Sequence, residues 1–157
     1  MAEFPVLTLS IWVPIITGIL VLATGGDRNA PLARLLALLG SLAGFAVTIP
    51  LATQFDSAQG GFQFQEAYNW IPYFNVNYHL GVDGFAVPLI LLTSFTTVIV
   101  VLAGWEVIQN RVAQYLASFL MMSGVMIGVF SALDGMLFYV FWEAMLIPMY
   151  LLIAVWG

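Results

Sequence analysis

The chain has 157 residues, is 62% hydrophobic and 7% charged, and carries a net charge of −5. Soluble domains carry about 25% charged residues, so a mean hydropathy of +1.04 makes lipid, not water, the natural solvent. Its three basic residues, Arg28, Arg34 and Arg111, exclude a surface that neutralises a nucleic-acid backbone, and the absence of cysteine excludes disulfides, thiolate catalysis and iron–sulfur ligation.

Five apolar runs follow in order, at residues 5–24, 31–52, 81–104, 112–133 and 135–156. Each is about 20 residues, enough to cross a hydrocarbon core of ~30 Å at ~1.5 Å per residue. The predicted fold is therefore an all-α membrane protein with about five transmembrane helices. The first run follows Glu3 with no basic residue before it, which reads as a retained spanning helix and not a cleaved signal.

The connections differ chemically. GGDRNA forms a polar turn after the first run, WEVIQNR joins the third to the fourth, and Leu133–Asp134–Gly135 joins the fourth to the fifth almost without a loop. The long polar segment 53–80 carries short alternation, as in FQFQ and NVNYHL, and the aromatics Tyr68, Trp70, Tyr73, Phe74 and Tyr78. It reads as an interfacial aromatic belt, and its alternation is compatible with a short hairpin covering part of the bundle. Because the loops alternate sides, all three arginines share one side. The opposite side, with the N-terminus, segment 53–80 and Asp134, has none. The positive-inside rule then puts the N-terminus outside and the C-terminal end of this chain inside.

Helices in lipid associate by close packing of small residues and by internal hydrogen bonds. Gly40–Gly44 and Gly124–Gly128 are GxxxG patterns and suggest two close contacts. Pro148 cannot donate to the Ala144 carbonyl. This gives either an ordinary membrane kink or a kink that makes room for water beside an acid.

That acid is Glu143, nine residues into the fifth run and near the bilayer middle. An ionised carboxylate there costs about 2.5–3.5 kcal/mol on insertion scales. It must face the bundle interior, find a partner or take up a proton. Desolvation favours a neutral acid and a nearby cation favours the carboxylate, so moving a charge beside such a group switches its proton affinity. The alternative is a neutral, hydrogen-bonded glutamic acid that holds helices together. Metal ligation lacks a second ligand at suitable spacing. Three residues are minor candidates. Asp83 is a helix cap or an entry-side acid. His79 is an imidazole that changes charge near neutral pH, or simply a solvated interfacial histidine. Tyr139 lies one turn before Glu143 and within reach along the same face. Asp134 suits an N-cap, and Glu106 lies near Arg111 at the interface.

The stretch LDGMLFYVFWEAMLIPMYLLIAVWG, with its WE-x-ML-x-PMY signature, resembles the antiporter-like membrane subunit M family of proton-pumping NADH:quinone oxidoreductase (respiratory complex I). HLGVDGFAVPLILLT resembles the start of that family's third helix, with Phe85 and Ala86 where the family has leucine and serine after Asp-Gly. The resemblance runs from the first helix to the last residue. It implies the N-terminal portion of a fourteen-helix subunit. Glu143 then matches the family's fifth-helix glutamate, which pairs with a lysine on the seventh helix. The implied role is proton translocation coupled to electron transfer. NADH, FMN, iron–sulfur clusters and quinone would sit in partner subunits, with no cofactor bound by this chain. Its expected neighbours are lipid and the other membrane subunits, especially antiporter-like ones. The rivals are a subunit of a related cation/proton antiporter and a non-translocating membrane scaffold.

Overall fold

The computed structural model describes residues 6–24, 27–54, 63–71, 76–108 and 111–156. Five helices are present: α1 (Val6–Leu22), α2 (Ala30–Gln54), α3 (Ala86–Val107), α4 (Val112–Ser131) and α5 (Gly135–Trp156). A 3₁₀ turn, Asp27–Asn29, leads into α2, and two strands, β1 (Gln63–Ile71) and β2 (Val76–Val82), precede α3. Helices α2 to α5 are long and apolar enough to cross a membrane, and α1 is a shorter apolar helix over its described residues.

The strands pair antiparallel, with Glu66 opposite Leu80 and Asn69 opposite Asn77. The hairpin compatible with the alternation in segment 53–80 is thus present. It takes Gly81 and Val82, which the apolar pattern had placed in the third span. The reason is that Asp83 caps the helix that follows. Its carboxylate accepts from the backbone N–H of Phe85 (3.1 Å) and Ala86 (3.0 Å), so the helix starts only at Ala86. Tyr73, Phe74, Glu3 and the Glu106 side chain lie outside the described residues.

Helix α1 packs between α2 and α4, α3 lies against α2 and α4, and α5 rests chiefly on α4. Both glycine pairs sit at helix contacts. A Cβ on Gly40 would meet the Thr17 side chain of α1, one on Gly124 would meet the Ile11 carbonyl oxygen, and one on Gly128 would lie 2.8 Å from the Phe141 ring of α5. Backbones approach closely because a hydrogen replaces a side chain there. The Ile11 contact is with main chain, which cannot rotate away, so Gly124→Ala is expected to cost about 2 kcal/mol, within the range for overpacking. Thermal unfolding in detergent checks this, and an unchanged midpoint would refute the contact.

The two ends of the bundle are chemically distinct. At one end Arg34 donates to the Ile108 carbonyl (3.0 Å). This joins the start of α2 to the end of α3, where a cation also complements the helix dipole. Arg28 and Arg111 flank the same end. At the other end the hairpin meets the α4–α5 turn. Leu133 N–H donates to the His79 carbonyl (2.8 Å), and Leu80 forms a bridge with Ala132.

Candidate functional site

Helix α5 begins at that turn. The Asp134 carboxylate accepts from Met136 N–H (2.9 Å) and Leu137 N–H (3.2 Å), so it is the N-cap that its position suggests. Leu137 and Phe141 are the only residues on the helix below one-tenth exposed among those described, and they anchor it on α4 and the hairpin. The remaining faces are largely bare.

Glu143 lies on one of those bare faces and is exposed. It sits eight residues beyond Gly135, about 12 Å along the axis. Of the three outcomes open to it, facing the interior, finding a partner or taking up a proton, the first is not realised within these five helices. The apolar anchors Leu137 and Phe141 claim the inward side of α5 and turn Glu143 outward. Tyr139, Leu146 and Tyr150, at helical spacings from Glu143, are exposed with it at 57%, 40% and 70%. Phe138 and Trp142 stack beside this stripe with ring centroids 5.9 Å apart. The stripe thus combines one carboxyl group and two phenols on an otherwise apolar surface.

The room beside Pro148 is not beside the acid. Pro148 and Ala144 line a groove of ≈540 Å³ between α1, α4 and α5, together with Ile15, Met121 and Val125. Glu143 is not among its lining residues, and the lining is overwhelmingly apolar. The room beside Pro148 therefore lies on the flank of α5 that carries Ala144, Pro148 and Leu151.

The minor candidates separate. Tyr139 shares the Glu143 stripe. Asp83 and His79 belong to the hairpin end, where Asp83 serves as a cap and the His79 carbonyl holds the α4–α5 turn. Among the described residues no cluster of three or more His, Cys, Asp or Glu is arranged to hold a metal.

Sequence reasoning missed one buried acid. Glu66 of β1 is 9% exposed. Its carboxylate accepts from Leu7 N–H (2.9 Å), Thr8 N–H (3.4 Å) and the Thr8 hydroxyl. It caps α1, whose first turn contains no acid of its own. Phe64, at φ 58°, marks a break in strand register between Gln63 and Glu66, and such a bulge re-aims the side chains after it. Tyr78 completes the cluster. Its hydroxyl lies 3.3 Å from the Thr8 hydroxyl and accepts from the Trp12 indole N–H (3.2 Å). A cap 58 residues or more from the helix it serves leaves no local spacing signal. The available hint was an acid within the aromatic run 62–78, which has no other charged residue.

A bundle of apolar helices with one acid midway along a helix, closed at one end by a hairpin, defines a multi-pass integral membrane protein. Residues 37–131 match the family model described as NADH-ubiquinone oxidoreductase chain 4, amino terminus. The chain belongs to that family. It is 41% identical over 144 residues to NADH-ubiquinone oxidoreductase chain 4 of Arabidopsis thaliana, covering 92% of this chain and 29% of the relative. It is 35% identical to NADH-quinone oxidoreductase subunit M of Rickettsia prowazekii, over all of this chain and 32% of the relative. It is 37% identical to F(420)H(2) dehydrogenase subunit M of Methanosarcina mazei, over 98% of this chain and 30% of the relative. The chain thus spans about a third of the length of these relatives.

Proposed function

We propose that this chain forms part of a proton-translocating membrane subunit of a respiratory NADH:quinone oxidoreductase, with Glu143 as its protonatable switch. The observation that carries the reading is the position of Glu143 at mid-helix on the outward stripe of α5. Facing lipid, an ionised carboxylate there costs about 2.5–3.5 kcal/mol. The cost falls if protein covers the stripe and supplies a cation or a proton path. The relatives are about three times as long, and their further helices are the natural cover. A cation approaching the stripe favours the carboxylate and its withdrawal favours the protonated acid. Alternating those two states takes up and releases one proton. Tyr139 and Tyr150 offer hydroxyls along the same stripe.

In this reading electron transfer occurs in partner subunits, which carry NADH, FMN, iron–sulfur clusters and quinone. Neighbouring antiporter-like subunits contact this one within the membrane. A relative named F(420)H(2) dehydrogenase subunit M supports a second reading of the donor, in which the same membrane machinery serves a dehydrogenase that oxidises a different reduced carrier. Glu143 has the same role in both.

The reading is tested by proton uptake into inverted vesicles from cells whose full-length subunit carries Glu143→Gln. Wild-type uptake by a fully assembled variant would sink it. The arginine-bearing end is proposed to face the cytoplasm. In a full-length, otherwise cysteine-free subunit, Asn29→Cys is expected to react with a membrane-impermeant maleimide in inverted vesicles and to stay unlabelled in intact cells whose outer barrier has been opened. The reverse pattern would invert the orientation.

A further inference from the structure

Buried hydroxyls converge where α1 to α4 meet. Ser10 of α1, Ser41 of α2, Ser94 and Thr97 of α3, and Ser123 of α4 line a cavity of ≈10 Å³ together with Pro14. All five hydroxyl-bearing residues are more than nine-tenths buried. Thr48, fully buried, adjoins them through Ser94.

Each hydroxyl carries one hydrogen and two lone pairs, so the hydrogens can be counted. Ser10, Ser41, Thr48, Ser94 and Thr97 are each within 2.6–3.2 Å of a backbone carbonyl one turn back, those of Val6, Leu38, Phe45, Leu91 and Thr93. Two further contacts join side chains: Thr48 to Ser94 at 3.1 Å and Thr97 to Ser123 at 2.8 Å. Seven contacts thus share the five hydrogens of Ser10, Ser41, Thr48, Ser94 and Thr97, with Ser123 accepting. The Thr97 hydroxyl donates toward Ser123 and also lies within reach of the Thr93 carbonyl, so its one hydrogen is shared between two acceptors. The Thr48–Ser94 contact then lacks one unless a carbonyl bond is given up. Of the six hydroxyls, Ser123 alone commits no hydrogen in these contacts. Pro14, on its wall, also has no N–H to offer the Ser10 carbonyl one turn back.

The cavity therefore presents mainly oxygen lone pairs, with the Ser123 hydroxyl as its available donor. Its occupant must donate hydrogen bonds, and its volume is close to the roughly 10–15 Å³ that one water requires. A cation also seeks oxygens. However, every polar lining side chain is neutral, and a charge without a counter-charge is costly to bury. We propose that one ordered water occupies this cavity, donating to two of the hydroxyl oxygens and tying together two of the four helices that line it inside the membrane. In lipid such internal polar bonds replace the hydrophobic drive that holds soluble helices together.

The test is an electron cryo-microscopy map of the assembled complex with the full-length subunit, at a resolution that shows ordered water. The expected result is a single peak at hydrogen-bond distance, roughly 2.7–3.2 Å, from at least two of the Ser94, Thr97 and Ser123 oxygens. An empty cavity would overturn the proposal. A peak that grows when sodium is exchanged for thallium would also overturn it, in favour of a cation site. In a Thr97→Val, Ser123→Ala double variant the peak should vanish, and its persistence unchanged would show that these hydroxyls do not hold it. If the double variant does not assemble, the wild-type map decides alone.

Discussion

In a full-length subunit carrying Glu143→Gln, the complex is expected to assemble at its wild-type level while donor oxidation coupled to quinone reduction, and proton uptake with it, fall roughly a hundredfold. That is the lower end of what a positioned proton-transfer group contributes. Glutamine keeps the volume and the hydrogen-bonding reach of glutamate but cannot exchange a proton. The inward face of α5 is carried by Leu137 and Phe141, so the substitution leaves its packing on α4 untouched. Glu143→Asp keeps an exchangeable proton on a shorter arm and should retain part of the activity. Blue-native gels establish assembly, and vesicle assays of oxidation and proton uptake give the ratio. If vesicles of the glutamine variant pump as well as wild-type vesicles, the acid has no relay role. If the complex fails to form, Glu143 serves packing against whatever covers α5.

Glu66→Leu is expected to do the opposite, lowering the amount of assembled complex and leaving the turnover of each surviving complex near normal. Leucine fills a similar volume but accepts nothing. The buried Leu7 N–H, the Thr8 N–H and the Thr8 hydroxyl then lose their acceptor at the start of α1. A buried donor left unpaired costs about 1–3 kcal/mol, and losing a negative group at a helix N-terminus adds about 0.3–1 kcal/mol. Because Thr8 remains near the Tyr78 hydroxyl and recovers part of the loss, the net destabilisation is expected to be about 3 kcal/mol. Thermal unfolding of the detergent-solubilised subunit measures it. Glu66→Gln, which retains a carbonyl acceptor, should recover more than half of that stability. Equal losses for the leucine and glutamine variants would mean that the carboxylate acts by charge alone.

The contrast between the two acids shows what was legible in the sequence. Glu143 stood out because an acid inside a long apolar run is anomalous on composition alone. Glu66 did not, because it sits in a polar segment where an acid is ordinary. Its burial arises from the pairing of β1 with β2, from the bulge near Phe64, and from the seating of that hairpin on the end of α1. Asp134 and Asp83 were readable as caps because a cap acts on N–H groups two or three residues away.

The number of helices, their order and their approximate bounds followed from hydropathy, since each run must match a fixed hydrocarbon thickness and bury its own backbone hydrogen bonds. The gathering of the arginines at one end followed from the same alternation of spans. Gly40, Gly124 and Gly128 of the GxxxG pairs marked close contacts, because a Cβ at each would crowd the facing helix. Partners were beyond the sequence: Gly124 meeting Ile11, Gly128 meeting Phe141, and five hydroxyls from four helices meeting around one small cavity. The direction of Glu143 was likewise decided by tertiary structure. Periodicity on an all-apolar helix does not say which face turns inward. That choice was made by Leu137 and Phe141 packing on α4 and the hairpin, which left the acid on the outer face of the bundle.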